Sequence, residues 1–356
     1  MYAKLHKNRL IFDSYALFNI KQYKEINMNK LTKIGVSALA GSLAVTAAHA
    51  AEGSVSVSTG FAFASAGDEK AKTTMYQFDS VIFSASGETD GGLTVSASME
   101  LDNDNPGTSS TSNGMDNRSV SFGSDSIGTF TFSGHGGSSV MGQWDDVTPN
   151  AYEEVWDTTT GADERIDGRS GNNLLTYDSP SFSGVMFKVG HQQADNASAT
   201  DNGLDVGSYT DFGIQVSPEM VEGLTIGYAQ AELDDSATTT IDNDTLFVKY
   251  AIGGFTLGYQ THDADGPTAA KTDESTTWGV SYAVNDDMTI AYGERDYDDD
   301  TSTAGANSSE QNDSGFSVSY TMGGMTIAGH MNSSDNVSGV AATDTESYEF
   351  ALTFAF

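Results

Sequence analysis

Residues 254–262 read Gly-Phe-Thr-Leu-Gly-Tyr-Gln-Thr-His. Phe255, Leu257 and Tyr259 alternate with Thr256, Gly258 and Gln260, so an extended chain here has one apolar face and one small or polar face. The same period of two recurs at Val55, Val57, Phe61 and Phe63, at Leu224, Ile226 and Tyr228, at Trp278, Val280 and Tyr282, and at Phe316, Val318 and Tyr320. A unit of glycine, apolar, threonine, apolar opens many of these segments: Gly92-Leu93-Thr94-Val95, Gly223-Leu224-Thr225-Ile226, Gly254-Phe255-Thr256-Leu257 and Gly324-Met325-Thr326-Ile327, with Met288-Thr289-Ile290 as a relative. The later copies lie some thirty residues apart, the length of two strands with their turn and loop, so the repeat is a hairpin.

Connections alternate between short turns, such as 88–91, 217–219 and 285–287, and long segments rich in Asp, Asn, Ser, Thr and Gly. Divided this way, the chain predicts sixteen strands: 53–64, 74–87, 92–102, 117–124, 128–135, 171–178, 184–193, 207–217, 223–233, 241–251, 254–262, 275–284, 288–297, 311–321, 324–332 and 344–356. The polar face of these strands is mostly Ser, Thr, Gly and Ala with little charge, which suits a water-filled lumen behind an apolar belt facing lipid. In lipid every backbone polar group must pair, so such a sheet closes on itself, and an even strand number permits antiparallel closure. The fold class is thus an all-β, sixteen-stranded antiparallel transmembrane β-barrel, too wide for side chains to fill. The short turns are expected in the periplasm and the long acidic connections outside.

The chain has 356 residues, 16 Lys plus Arg against 50 Asp plus Glu, and no Cys. A formal charge of −34 works against a phosphate-binding surface, which excludes nucleic acid as a partner. The absence of Cys removes disulfides, Cys-ligated zinc and thiol nucleophiles together. Lys30 and Lys33 precede an apolar run from Ile34 to Ala48, and Ala48-His49-Ala50 places small residues where a signal peptidase cuts. Residues 28–50 are therefore expected to be a signal peptide, 1–27 an over-extended start, and 51–356 the barrel. The first fifty residues hold seven of the bases and two of the acids, so 9 bases face 48 acids in the remainder.

Three stretches carry a family resemblance. The end, Tyr348-Glu349-Phe350-Ala351-Leu352-Thr353-Phe354-Ala355-Phe356, resembles the closing strand and assembly signal of Gram-negative outer-membrane barrels. Asn117-Arg118-Ser119-Val120-Ser121-Phe122-Gly123 followed by 127–135 looks like the fourth and fifth strands of general porins. Asn172-Asn173-Leu174-Leu175-Thr176-Tyr177-Asp178-Ser179-Pro180 with Phe182-Ser183-Gly184 is similar to the family's N-S-x-x-Y-x-S-P-x-F-x-G sixth strand and turn. The resemblance, to Gram-negative general diffusion porins of alphaproteobacterial type, implies a homotrimeric channel in the cell outer membrane. It would touch lipid and lipopolysaccharide and pass small hydrophilic solutes passively, without a cofactor and without enzymatic activity.

In that family the connection between strands 5 and 6 folds into the barrel, and its acids face arginines on the wall. Here that connection, about 136–169, is the longest and carries Asp145, Asp146, Glu153, Glu154, Asp157, Asp163, Glu164 and Asp167, with Trp144, Tyr152 and Trp156 to anchor it. The resemblance makes Asp145, Asp146, Glu153, Glu154 and Asp157 the loop side of a pore constriction. The wall departs from the family: Ser133-Gly134-His135 stands where L-G-R-Q is common, so the resemblance puts His135 on the wall in place of a permanent cation, while alternation turns Lys188, Lys249 and Arg295 inward, with Arg165 and Arg169 at the loop's return. A field tilted negative, hence cation selectivity, is the expectation.

Other chemistry was sought in the aspartate runs. Asp102 with Asp104, Asp242 with Asp244, Asp263 with Asp265, and Asp296, Asp298, Asp299 and Asp300 match no EF-hand. They read as solvated loop carboxylates, with loose binding of Ca or Mg at Asp296, Asp298 and Asp300 on the outer rim as the one cation role left open. His135, His191, His262 and His330 form no H-E-x-x-H motif, and no G-x-S-x-G elbow occurs. Two rival readings, a barrel-type outer-membrane hydrolase and a secreted acidic calcium-binding β-solenoid, lack their signatures. The double glycines starting at Gly91, Gly136, Gly253 and Gly323 do not continue as G-G-x-G-x-D.

Overall fold

The computed structural model of the chain describes residues 52–66, 73–102, 115–157, 170–171, 173–193, 208–236, 239–265, 272–299 and 309–356. The expected signal peptide and the segment before it lie outside these residues. Sixteen strands form one closed antiparallel barrel. In chain order they are β1 Glu52–Ala66, β2 Thr74–Glu88, β3 Thr94–Asp102, β4 Met115–Ser124, β5 Gly128–His135, β6 Leu174–Asp178, β7 Val185–Gln192 and β8 Tyr209–Val216. The second half comprises β9 Leu224–Ser236, β10 Thr239–Ile252, β11 Phe255–Asp265, β12 Thr272–Asn285, β13 Met288–Asp299, β14 Gln311–Met322, β15 Met325–Asp335 and β16 Thr345–Ala355.

Closure is made by β1 and β16, with Phe61 opposite Leu352 and Phe63 opposite Phe350. Terminal Phe356 extends the seam: its N–H donates to the Val57 carbonyl at 2.8 Å, and the Val57 N–H donates to its carbonyl at 3.1 Å. No edge strand is left, which is the condition for a sheet in lipid. Phe61, Phe63, Phe187, Phe212, Tyr259, Trp278, Phe316 and Phe350 are 37–54% exposed, whereas Thr245, Gln260, Asp313 and Asn332 on the opposite face are at most 5% exposed. Large apolar side chains outside and polar ones inside reverse the order of a soluble barrel.

All sixteen strands fall where the alternation predicts them, but several run further at one end. Asp263, Asp265 and Asp298, beyond the predicted strand ends, stand on strands, as do Asp242, Asp244 and Asp296, whose composition reads as loop although they lie within predicted strands. Their spacing of two continues the outward face of the belt. Asp244, Asp263, Glu274 and Asp298 are opposite one another across four strands. Directly opposed like charges disfavour pairing by tenths of a kcal/mol up to about 1, which is why composition pointed to loops. Asp300 and Asp104 lie outside the described residues.

The long connection after β5 returns along the inner face. It begins with a two-residue ladder, Gly137–Ser138 against Ser170–Gly171, and a short helix α1, Val140–Gln143. The wall makes room for it with glycine: Gly258, Gly279, Gly293 and Gly315 occupy one register row across β11 to β14. A Cβ at Gly258 would come within 2.3 Å of Pro149 Cδ, and one at Gly279 within 2.8 Å of the Pro149 carbonyl oxygen. Val155 Cγ1 lies 3.2 Å from where a Cβ would sit at Gly293 and 3.3 Å from that at Gly315. Segments 148–149 and 155 therefore rest on bare backbone.

Adding methyls to this trough should unseat the loop without opening the barrel, since alanine suits a strand and overpacking typically costs about 1–3 kcal/mol. The double substitution Gly258→Ala with Gly279→Ala is expected to raise single-channel conductance in planar bilayers and to leave far-ultraviolet circular dichroism unchanged. Wild-type conductance in the double variant would show that the loop does not narrow the channel.

Candidate functional site in the channel lumen

The inner segment 139–157 is fastened to the wall at three places. At its start Ser139 caps α1, its Oγ accepting from the Gly142 N–H at 3.2 Å. Val140, Met141 and Trp144 are buried against Tyr209, Ala229, Ala231, Leu233 and Phe247, the inward residues of β8, β9 and β10. Trp144 meets Phe247 edge-on with ring centroids 5.2 Å apart. Burial of each such large side chain contributes about 1.5–3 kcal/mol. Asp211 Oδ2 accepts from the Met141 N–H and from the Tyr209 hydroxyl, each at 2.9 Å.

In the middle, Gln260 grips the chain from β11: its Nε2 donates to the Trp144 carbonyl and its Oε1 accepts from the Val147 N–H at 3.0 Å. His262 Nε2 lies 2.8 Å from the Asp145 carbonyl oxygen. The Ala151 N–H donates to Ser317 Oγ at 3.0 Å.

At the far end Asn332 Nδ2 donates to the Glu154 carbonyl at 3.0 Å. Glu349 on β16 receives two phenols, Tyr152 from the loop and, at 2.7 Å, Tyr76 from β2. Trp156 lies over the Arg295 guanidinium, 4.4 Å from its centroid, and Tyr152 stacks on His330 at 5.9 Å.

These contacts run from β8 round to β16 and β2, and inward residues beneath the segment are buried: Thr245, Gln260, Thr277, Arg295, Asp313 and Asn332 are at most 5% exposed. Inward residues of β1 to β5, such as Ser54, Ser84, Ser98 and Ser119, remain exposed or half-exposed. The open path is therefore eccentric, between the segment and the β1–β6 wall.

The predicted residues separate into groups. Asp145, Asp146, Glu153, Glu154 and Asp157 are together on the inner segment. Asp145 is exposed, and the others are partly exposed. Asp146 folds its own turn, Oδ1 accepting from the Thr148 N–H at 2.9 Å and hydroxyl at 2.7 Å. Lys188 is on the inner face of β7 but is spoken for: Nζ pairs with Asp178 at 2.9 Å and donates to Gln143 of α1 at 2.8 Å. Arg295, also inward, is buried under Trp156 and ion-paired to Asp313 at 2.8 Å, so it holds the loop instead of facing the water. Lys249 stands inward on β10, opposite Thr225 and Gly258.

His135 is not brought to the acids. It pairs in register with Arg118, which is exposed on the belt side, and its Nδ1 engages the Asp116 carbonyl. Arg165, Arg169, Asp163, Glu164 and Asp167 lie outside the described residues. Asp296 is on the outer face, where Oδ1 accepts from Asn312 Nδ2 at 3.2 Å. Among the described residues no three His, Asp or Glu side chains converge as a metal site would require. Asp211, Gln260, Glu349 and Tyr76 were not singled out from sequence, although a large polar residue at an inward position of a strand is the signal that marks each.

Crowding shapes the acids' titration. Burial, with Glu154, Asp157 and Glu349 nearby, pushes Glu153 up to about 7. Burial, with Glu154 adding repulsion, pushes Asp146 up to about 6. Tyr152 is raised by burial and by its bond to Glu349.

A Gram-negative porin family model matches residues 35–339. The chain belongs to that family. The porin fold recurs in solved structures: an anion-selective porin from Comamonas acidovorans has TM-score 0.63 and 15% identity over 86% of this chain and 100% of that one. Salmonella typhi OmpF in complex with daunomycin has TM-score 0.64 and 11% identity over 85% and 97%. A mutant of the Rh. blastica porin has TM-score 0.60 and 15% identity over 85% and 100%. No match was found among curated proteins. This porin is an outer-membrane diffusion channel and not an enzyme, which sets aside the hydrolase and solenoid readings.

A carboxyl with a raised pKa holds its proton until the pH exceeds that value, so Glu153 loses its charge as pH falls through about 7. Its proton uptake also favours the folded cluster at low pH, and seating of the loop weakens as pH rises from the usual 4.5 towards 7. The potassium-to-chloride permeability ratio of the porin is expected to rise between pH 6 and pH 8, and Glu153→Gln should flatten that rise. A ratio constant across this interval in the wild type would place Glu153 away from the ion path.

Proposed function

We propose that this porin is a cation-preferring channel for small hydrophilic solutes and ions, with Asp145, Asp146, Glu153, Glu154 and Asp157 on the loop side of its constriction. The observation that carries the reading is the unequal pairing of the two signs of charge. Lys188 is neutralised by Asp178 and Arg295 by Asp313, whereas Glu153 is crowded by Glu154, Asp157 and Glu349, and His330 Nε2 stands 3.8 Å from Asp157 Oδ2. Among the described residues Lys249 is left as the inward cation of the pore wall, and His135 engages the Asp116 carbonyl. Low-dielectric walls focus the resulting negative potential and concentrate cations in the narrow path. The Comamonas acidovorans porin shares the fold and is anion-selective, so preference follows the lining and not the barrel.

The same reading includes a homotrimer in contact with lipid and lipopolysaccharide. The outer wall of β1 to β5 carries a groove of about 510 Å³ lined by Gly53, Val55, Ala85, Ala97, Met99 and Arg118. Arg118 is exposed on this outward wall, where a charge facing lipid is unfavourable. Seating a second copy against this wall would relieve that cost and fill the groove. Loose Ca or Mg binding stays with Asp296, Asp298 and Asp300 as a rim property, bridging to lipopolysaccharide phosphates.

Reversal potentials across a potassium chloride gradient test the preference. The wild type should favour cations, most at low salt, because the Debye length falls from about 30 Å at 0.01 M to about 3 Å at 1 M. The Glu153→Gln, Glu154→Gln double variant should lose much of that preference, whereas rim charge alone would leave it intact. Anion preference in the wild type, or a double variant indistinguishable from it, would refute the assignment.

A further inference from the structure

The wall that the loop leaves open is built from hydroxyls in register. Ser54, Ser84, Ser98, Ser119 and Ser133 lie directly opposite one another across β1 to β5. A second row, Ser86, Ser96, Ser121, Thr131 and Thr176, crosses β2 to β6. Neighbouring strands are about 4.8 Å apart, and the two rows are two residues apart along each strand, so the hydroxyls form a lattice with a spacing of several ångströms. Ser96 and Ser121 join across the ladder at 2.6 Å.

Both rows run towards the foot of the loop. Ser133 lies beneath Gly137, and Thr176 is opposite Gly190, which packs under Val140. Among the described residues no Lys or Arg points inward from β1 to β6, because Arg118 is on the belt side. Acids share this inward face: Glu52 is opposite Ser86, Glu88 follows Ser86 along β2, Glu100 accepts from Ser80 and Asn117, and Asp178 on β6 pairs with Lys188.

From this geometry we propose that the porin discriminates among cations in favour of small polyhydroxylated ammonium solutes, the class of amino sugars and amino polyols. The inference rests on the cation-preferring reading and adds a second contact to it. The loop carboxylates attract the ammonium group, and the serine rows exchange hydrogen bonds with the hydroxyls on the other side of the solute. Each wall hydroxyl offers one donor and two acceptor lone pairs, so it can replace either kind of water contact that a solute sheds in the narrow path. An alkylammonium of the same length and charge makes only the first contact, and it displaces water from the serines without replacing it. A neutral polyol makes only the second.

Bi-ionic reversal potentials measured against potassium at pH 8, with N-methylglucamine and N-methylhexylammonium as probes, test this directly. N-methylglucamine should be the more permeant by roughly three- to tenfold, the effect on a rate of one net hydrogen bond. In the Ser84→Ala, Ser98→Ala, Ser119→Ala triple variant that ratio should fall towards unity, while the potassium-to-chloride ratio stays at the wild-type value. Alanine in these positions is smaller and compatible with a strand, and heat-modifiable gel mobility verifies the barrel. Should the wild type show no preference for potassium over chloride, the cation reading itself fails. Should it prefer potassium yet pass both probes alike, or should the triple variant keep the wild-type probe ratio, the hydroxyl wall has no part in selection and this inference is overturned.

Discussion

The close approach of Pro149 and Val155 to the glycine row of β11 to β14 is the contact on which the rest of the lumen depends. A barrel of sixteen strands is too wide for its own side chains to fill, so without an inserted segment it is an unselective hole. Side chains on that row would clash with Pro149 and deny the loop its seat. With hydrogens there, the loop lies on backbone, and polar side chains from neighbouring rows reach its N–H and carbonyl groups. Gln260, Ser317 and Asn332 do this in succession, so the peptide groups buried by docking keep partners.

Electrostatics then follow from which groups the docking consumes. Arg295 is held under Trp156 and paired with Asp313, and Lys188 is tied both to Asp178 and to α1. Two of the wall's bases thus serve to fasten the loop. Among the acids, Asp157 meets His330 at 3.8 Å, while burial, with neighbouring carboxylates adding to it, raises the titration of Glu153 and Asp146. The wall opposite the loop carries rows of serine and threonine hydroxyls together with Glu52, Glu88 and Glu100.

Much of the barrel is legible in the sequence because its causes are local. Period two survives one strand at a time, so Phe255-Thr256-Leu257-Gly258-Tyr259 declares its two faces without knowledge of its neighbours. The strand ends were harder. Asp263 and Asp265 look like loop residues by composition and are strand residues by parity, and parity prevails where the outward face stands in water. Within the lumen, alternation put Arg295 on the correct face but could not tell that Asp313, 18 residues on, would neutralise it. His135 was reached by the family resemblance and not by alternation, and a register shift beside Arg118 is a feature that neither pattern carries. Asp211 and Glu349 act on a loop 70 and 197 residues away, and no local pattern records such a pairing. The glycine row was visible only as scattered Gly258, Gly279, Gly293 and Gly315, whose alignment needs the register of four strands.

Because the chain has no cysteine, one introduced thiol can report on the channel without background. Asp145→Cys, on the exposed turn of the inner segment, followed by a trimethylammonium-bearing methanethiosulfonate during single-channel recording, tests directly whether this segment borders the ion path. The account predicts a stepwise fall in conductance on modification and a shift of the reversal potential towards chloride. Complete labelling of the thiol, verified by mass, with conductance and selectivity both unchanged would contradict it.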